Sequence, residues 1–118
     1  IKDHIDKPLI VVRTEELVSH AIERMRKYKI SQIPVIDITG FVGSVDESDL
    51  FQSYVADKEV ADKPIKDVMG KPFPIVKHGT PIEEVSKLFS KENEAVLVEL
   101  ENGNHHIITK YDIIGSIK

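Results

Sequence analysis

Two stretches of this chain repeat one another. Ile1-Lys2-Asp3-His4-Ile5-Asp6-Lys7-Pro8 returns 64 residues later as Ile65-Lys66-Asp67-Val68-Met69-Gly70-Lys71-Pro72, and Val11-Val12 returns as Ile75-Val76. After a slip of one residue, Ile33-Pro34-Val35-Ile36 corresponds to Val96-Leu97-Val98-Glu99, and Asp49-Leu50 to Asp112-Ile113. Two copies therefore fill the chain, 1–58 and 59–118, and any fold must be built from one unit used twice.

Each copy reads in the same order. A short apolar strand comes first, Leu9 to Val12 or Pro74 to Val76. A helix follows, with Val18, Ala21, Ile22 and Met25 at three- and four-residue intervals in one copy and Ile82, Val85 and Phe89 in the other. Thr80-Pro81-Ile82-Glu83 predicts a helix start with threonine as N-cap, proline at the first helical position and glutamate closing a capping box.

Two β-rich runs come next, Ile33 to Asp37 with Phe41 to Val45, and Ala95 to Leu100 with His105 to Thr109. Gly40 and Asn102-Gly103-Asn104 supply the positive-φ residues that tight hairpin connections need. A second helix closes each copy, roughly Glu47 to Val55 and Lys110 to Ile117, and Ala56 to Pro64 forms a charged connection. The unit is β-α-β-β-α, and the fold class is α+β. One copy has too few elements to cover its own sheet, so the two are expected to pack with pseudo-twofold symmetry and to form ligand clefts between them.

Composition narrows the function classes. With 41% hydrophobic and 31% charged residues, the chain is that of an ordinary globular domain. It has no cysteine, which removes disulfides, thiolate zinc sites and cysteine nucleophiles and agrees with a cytoplasmic location. Its apolar runs are strand-sized, so no membrane span is expected. A net charge of -4 without an extended basic patch argues against a nucleic-acid partner. The one basic run, Arg24-Met25-Arg26-Lys27-Tyr28-Lys29, reads as a solvated helix end whose cations complement the dipole.

The run Ile33-Pro34-Val35-Ile36-Asp37, then Gly40, then Val42-Gly43-Ser44-Val45-Asp46-Glu47-Ser48-Asp49-Leu50 resembles the CBS family. The family pattern is a Pro-Val-hydrophobic-Asp strand, a turn, a glycine and a Thr/Ser-x-x-Asp entry into the last helix. Each part is weak alone, and the ordered duplication is what makes it specific. More narrowly, Lys29-Ile30-Ser31-Gln32-Ile33-Pro34-Val35 and Ile108-Thr109-Lys110-Tyr111-Asp112-Ile113-Ile114 look like the C-terminal regulatory module of a bacterial-type pyridoxal-phosphate-dependent cystathionine β-synthase.

That resemblance implies CBS repeats at 1–58 and 59–118 and a regulatory fragment without catalysis. Its ligand would be an adenosine-containing small molecule: S-adenosylmethionine, AMP or ATP. Pyridoxal phosphate would belong only to the catalytic domain of a parent chain in cysteine metabolism. It also implies a homodimer, since paired CBS repeats associate into disc-like dimers. Thr109 and Asp112 would hold the ribose, with Lys7, Pro8, Ile30, Ser31, Gln32 and Ile33 of the other copy around the adenine.

A second site would use Asp46 and Asp49, where the family's threonine or serine is an aspartate. Extra carboxylates there would repel a phosphate and suit a sulfonium nucleoside. Each assignment has a plainer counterpart: Thr109-x-x-Asp112 is also close to a capping box, and the acidic cluster is also a helix start that complements the dipole. A structural dimerisation module without a ligand is the alternative function.

An enzyme would look to His105-His106. Neighbours on a strand point to opposite faces, so the pair cannot readily chelate one metal, and no GxxxxGK or GxGxxG phosphate loop is present.

Overall fold

The computed structural model describes residues 9–91 and 93–116. Two compact units emerge. One is Ile10–Pro72; the other holds Leu9 and the described residues from Phe73 onward.

In the first unit, β1 (Val12–Arg13) runs parallel to β2 (Gln32–Asp37), which pairs antiparallel with β3 (Gly40–Asp46). Between β1 and β2 lies α1 (Val18–Tyr28), and α2 (Glu47–Ala56) follows β3. The second unit repeats this arrangement: β4 (Ile75–Lys77) is parallel to β5 (Ala95–Glu99), which is antiparallel to β6 (His105–Thr109). Here α3 (Ile82–Ser86) takes the place of α1, and α4 (Lys110–Ser116) follows β6. The expected β-α-β-β-α order holds in both, and the fold is α+β. The first opening strand is shorter than its Leu9–Val12 run, because only two residues find ladder partners, whereas β4 has the length of its Pro74–Val76 run and lies one residue further on.

The core of the first unit is closed. Val12, Val18, Ala21, Ile33 and Val35 are fully buried, with Met25, Val45 and Leu50 nearly so. The apolar stripe of α1 supplies three of these, as its 3.6-residue period requires. The helix ends where Lys29 adopts a left-handed conformation (φ 56°) and returns its amide to the Met25 carbonyl. Gly40 (φ 125°) and Gly103 (φ 87°) turn the two hairpins, as their positions in the sequence predict.

Arg26 and Lys27 lie exposed in the last turn of α1, where their charge faces the helix C-terminus. Arg24 is the departure from the solvated-end reading. Its guanidinium donates to both Glu16 carboxylate oxygens (2.6 and 2.8 Å) and to the Val11 carbonyl (3.1 Å). Glu16 Oε2 also accepts the Arg13 amide (2.8 Å). The arginine hydrogen bonds lower the Glu16 pKa to about 2, against the opposing effect of burial.

The connection after α2 carries two 3₁₀ turns, Lys58–Asp62 and Ile65–Asp67, which bury Val60 and Ile65. The Ile65 amide donates to the Glu16 carbonyl (2.8 Å) and the Lys66 amide to the Thr14 carbonyl (3.0 Å). Further on, Gly70 and Ser44 exchange backbone hydrogen bonds (2.8 and 3.1 Å), and Ser44 Oγ donates to the Lys71 carbonyl (2.6 Å). Residues 57–72 are therefore fastened to the first unit by backbone and core contacts.

The second helix corrects two expectations. Thr80 does not cap α3: its hydroxyl donates to the Lys77 carbonyl (2.7 Å), the same oxygen its amide reaches (3.1 Å), so the side chain closes the preceding turn. Pro81, with ψ 142°, becomes the residue before the helix, which starts at Ile82 without a side-chain cap. Nor does the helix reach Phe89; it spans five residues, and Ser86 Oγ bonds back to the Ile82 carbonyl (2.7 Å). Phe89 still packs, half-buried, against the cluster of Val85, Val96, Val98 and Ile108.

Candidate functional site

Each unit ends in the same junction, where the last strand enters the closing helix. In the second unit Thr109, the final residue of β6, lies opposite Ala95 and directly before α4. One turn into the helix, Asp112 bends back. Its Oδ2 accepts the Thr109 amide at 2.7 Å and the Thr109 hydroxyl at 3.3 Å. Both residues are half-buried. The contact is the reach-back half of a capping box, and it orders a hydroxyl and a carboxylate side by side.

The first unit uses the same positions with opposite polarity. Asp46, the final residue of β3, lies opposite Gln32. Its Oδ1 accepts the amides of Ser48 (2.9 Å) and Asp49 (3.4 Å), making it a true N-cap, and its Oδ2 accepts from Gln32 Nε2 (3.2 Å). The Glu47 amide donates to the Ser31 carbonyl (2.8 Å). Ser31, Gln32 and Asp46 thus form one connected group, and Asp49 stands exposed beside it.

Of the other expected ligand contacts, Ile33 is fully buried, and its side chain is committed to the first core. Ile30 packs half-buried on the edge of that core. Lys7 and Pro8 lie outside the described residues. The Gln32–Asp46 bond was not foreseen; a cross-strand pair facing a helix start was the available signal, but it requires the β2–β3 register.

The histidines separate as their strand positions predict. His106 is buried and lines a partly open cavity of about 240 Å³ in the second unit, whereas His105 approaches Glu99 at 3.9 Å. Among the described residues no group of three histidines or carboxylates is placed to hold a metal. Neither Thr109 nor Asp112 lines the cavity, because they sit one residue away from Ile108 and Ile113, which do. No helix among the described residues is long and apolar enough to cross a membrane.

The CBS domain pattern matches residues 1–56 and 65–118. No curated protein matches the chain. Among solved structures, the chain superposes on a CBS-domain-containing protein of Agrobacterium tumefaciens with a TM-score of 0.79 and 20% identity, covering 96% of this chain and 87% of that one. It is similar to a protein of Methanocaldococcus jannaschii described as a putative archaeal homolog of g-AMPK (TM-score 0.79, 19% identity), covering all of this chain and 47% of that one. A third similar structure is CBSX2 in complex with AMP (TM-score 0.70, 23% identity), with 92% and 86% covered. The pattern matches both copies of the repeat, and the chain belongs to the CBS domain family.

Proposed function

We propose that this chain is a regulatory module that binds an adenosine-containing small molecule through Thr109 and Asp112. The observation that carries the reading is the Asp112 carboxylate held against the Thr109 hydroxyl at a half-exposed strand-to-helix junction. A carboxylate that already accepts a hydroxyl can accept the paired hydroxyls of a ribose with little rearrangement. The AMP in CBSX2 supports the ligand class.

In this reading the repeats 1–58 and 59–118 are the functional units, and Ile30, Ser31, Gln32 and Ile33, with Lys7 and Pro8, are the remaining proposed contacts. Ser31 and Gln32 supply polar groups, Ile30 its half-exposed side chain and Ile33 only its backbone. Asp46 and Asp49 form the second proposed site. Their two carboxylates disfavour a phosphate and favour a nucleoside carrying a positive sulfur, as in S-adenosylmethionine. That ligand also follows from the resemblance to a cystathionine β-synthase module, which would make the parent chain's catalytic domain the regulated partner. A cytoplasmic setting belongs to the same proposal.

A second reading, a structural module that joins subunits, is favoured by apolar side chains left exposed on the closing helices. Phe51 and Val55 of α2 are 67% and 66% exposed, and Tyr111 and Ile114 of α4 are 82% and 62% exposed. These faces support a homodimer, and dimerisation and ligand sensing are compatible.

Isothermal titration calorimetry with S-adenosylmethionine, AMP and ATP tests the proposal. Saturable binding that disappears in Asp112→Ala supports a sensor and identifies the ligand. Absence of binding to all three, with no thermal shift, leaves the dimerisation reading.

A further inference from the structure

The hairpin between β5 and β6 turns on Asn102-Gly103-Asn104. The Gly103 amide donates to the Leu100 carbonyl (3.0 Å) and the Leu100 amide to the Asn104 carbonyl (2.7 Å), which closes the turn. Gly103 takes φ 87°, a conformation that glycine adopts without strain. The missing side chain that permits this turn also leaves the Gly103 nitrogen uncrowded. A Cβ at Gly103 would meet no atom within 4 Å, and residues 101–104 are all exposed. The Asn102 side chain reaches forward past this nitrogen, because its Oδ1 accepts the Asn104 amide at 2.9 Å.

The other two asparagines of the sequence lack this combination. Asn93 precedes Glu94, is half-buried, and donates its side-chain Nδ2 to the Leu88 carbonyl (2.6 Å). Asn104 is exposed, but the residue after it is His105, and a side chain there crowds the nitrogen that would have to react.

We propose that Asn102 is a site of spontaneous deamidation in the folded chain, with the Gly103 nitrogen as nucleophile. The Gly103–Leu100 hydrogen bond opens first, at little cost at an exposed hairpin tip. The Gly103 nitrogen loses its proton to solvent base and bonds to Asn102 Cγ, and the carbonyl electron pair moves onto Oδ1. The Asn104 amide already sits on that oxygen, where it stabilises the developing negative charge. Collapse expels Nδ2, which leaves as ammonia after taking a proton from water, and a cyclic succinimide remains. Water then opens the ring. Breaking the bond from Gly103 nitrogen to Cγ gives aspartate; breaking its bond to the main-chain carbonyl carbon gives isoaspartate, in which the chain runs through the side chain. The net change is one water in and one ammonia out, with no oxidation or reduction. Either product adds a negative charge beside Glu101, and isoaspartate lengthens the turn by a methylene. The turn adjoins the Glu99–His105 end of the β5–β6 ladder, whereas Thr109 pairs with Ala95 at its opposite end, so the inference stands apart from the ligand reading.

The test incubates the folded 118-residue chain in mildly alkaline buffer and follows the conversion by peptide mass spectrometry, with fragment spectra separating Asn102 from Asn104. Isoaspartate is measured on the digested peptides by methyl transfer from labelled S-adenosylmethionine with an isoaspartyl methyltransferase. Asn102 is expected to gain the mass difference between amide and acid faster than Asn93 and Asn104 by roughly an order of magnitude, with both products formed. The rate should rise with pH, since the nucleophile must lose a proton. Asn102→Gln, whose longer side chain must close a larger ring, should stop the conversion. Conversion at Asn102 no faster than at Asn104, conversion only after unfolding in urea, or undiminished isoaspartate in Asn102→Gln overturns the proposal.

Discussion

Asp112 Oδ2 accepts both the amide and the hydroxyl of Thr109, at 2.7 and 3.3 Å, so one carboxylate oxygen joins the end of β6 to the first turn of α4. The contact serves the fold, and it also presents a hydroxyl–carboxylate pair in fixed relation. Removing the two contributions separately distinguishes them. Thr109→Val keeps the amide bond and loses the hydroxyl, so it should leave the thermal midpoint nearly unchanged and weaken ligand binding. Asp112→Ala should abolish binding and also cost about 1 kcal/mol of stability as a lost cap. Calorimetric titration together with urea denaturation checks both, and full affinity in Asp112→Ala would remove this junction as the site.

The first unit's junction should behave as a structural cap. Asp46 accepts two helix amides and the Gln32 side chain, so Asp46→Ala is expected to destabilise by about 1–2 kcal/mol. Asp49 is exposed, and Asp49→Ala should change stability by less than about 0.5 kcal/mol. Equal losses in chemical denaturation would mean that Asp49 has a structural role its exposure does not suggest.

Stability should fall in acid through Glu16. Its pKa in the folded chain is about 2, below the ordinary 4.5, so the folded state gains from its ionised form. That contribution is present above pH 4.5 and is lost as the pH drops toward 2. Glu16 and Arg24 are 24% and 34% exposed, so solvent screening reduces the effect to about 1–2 kcal/mol. Urea midpoints measured from pH 6 to pH 2 should decline less steeply in Glu16→Gln, and parallel curves would contradict the assignment.

Gly43 is needed for close approach. A Cβ there would lie 2.6 Å from Met69 Sδ and 2.9 Å from the Gly70 carbonyl oxygen. Gly43→Ala should destabilise by about 1–3 kcal/mol. Adding Met69→Ala should recover only part of this, because the flexible thioether is removed and the backbone carbonyl is not. Complete recovery would show that the Gly70–Ser44 contact can shift without cost.

Ile38 and Ile65 offer a contrast in burial. Ile38 is 98% exposed at a hairpin tip, whereas Ile65 is fully buried in the first core. Ile65→Ala should cost about 2–5 kcal/mol. Ile38→Ala should be nearly neutral by the same denaturation measurement.

The duplicated β-α-β-β-α order, the hairpin glycines, the apolar face of α1 and the family were legible in the amino-acid sequence. Periodicity and positive-φ residues are local properties, and a repeat states them twice. Thr109 and Asp112 were also legible as a pair, since their spacing is that of one helical turn. What only the tertiary structure decided lies where a group chooses among distant partners. Thr80 carries the sequence of an N-cap, but its hydroxyl found the Lys77 carbonyl first and left α3 uncapped and short. Arg24 looked like part of a solvated helix end until the fold brought Glu16 and the Val11 carbonyl within reach. Gln32 met Asp46 only through the β2–β3 register. Val35, Val45 and Leu50 correspond in the repeat to Val98, Ile108 and Ile113, yet the first set belongs to a core that takes in Ile65 and the second lines a partly open cavity, because filling a volume depends on side chains that arrive from elsewhere in the chain.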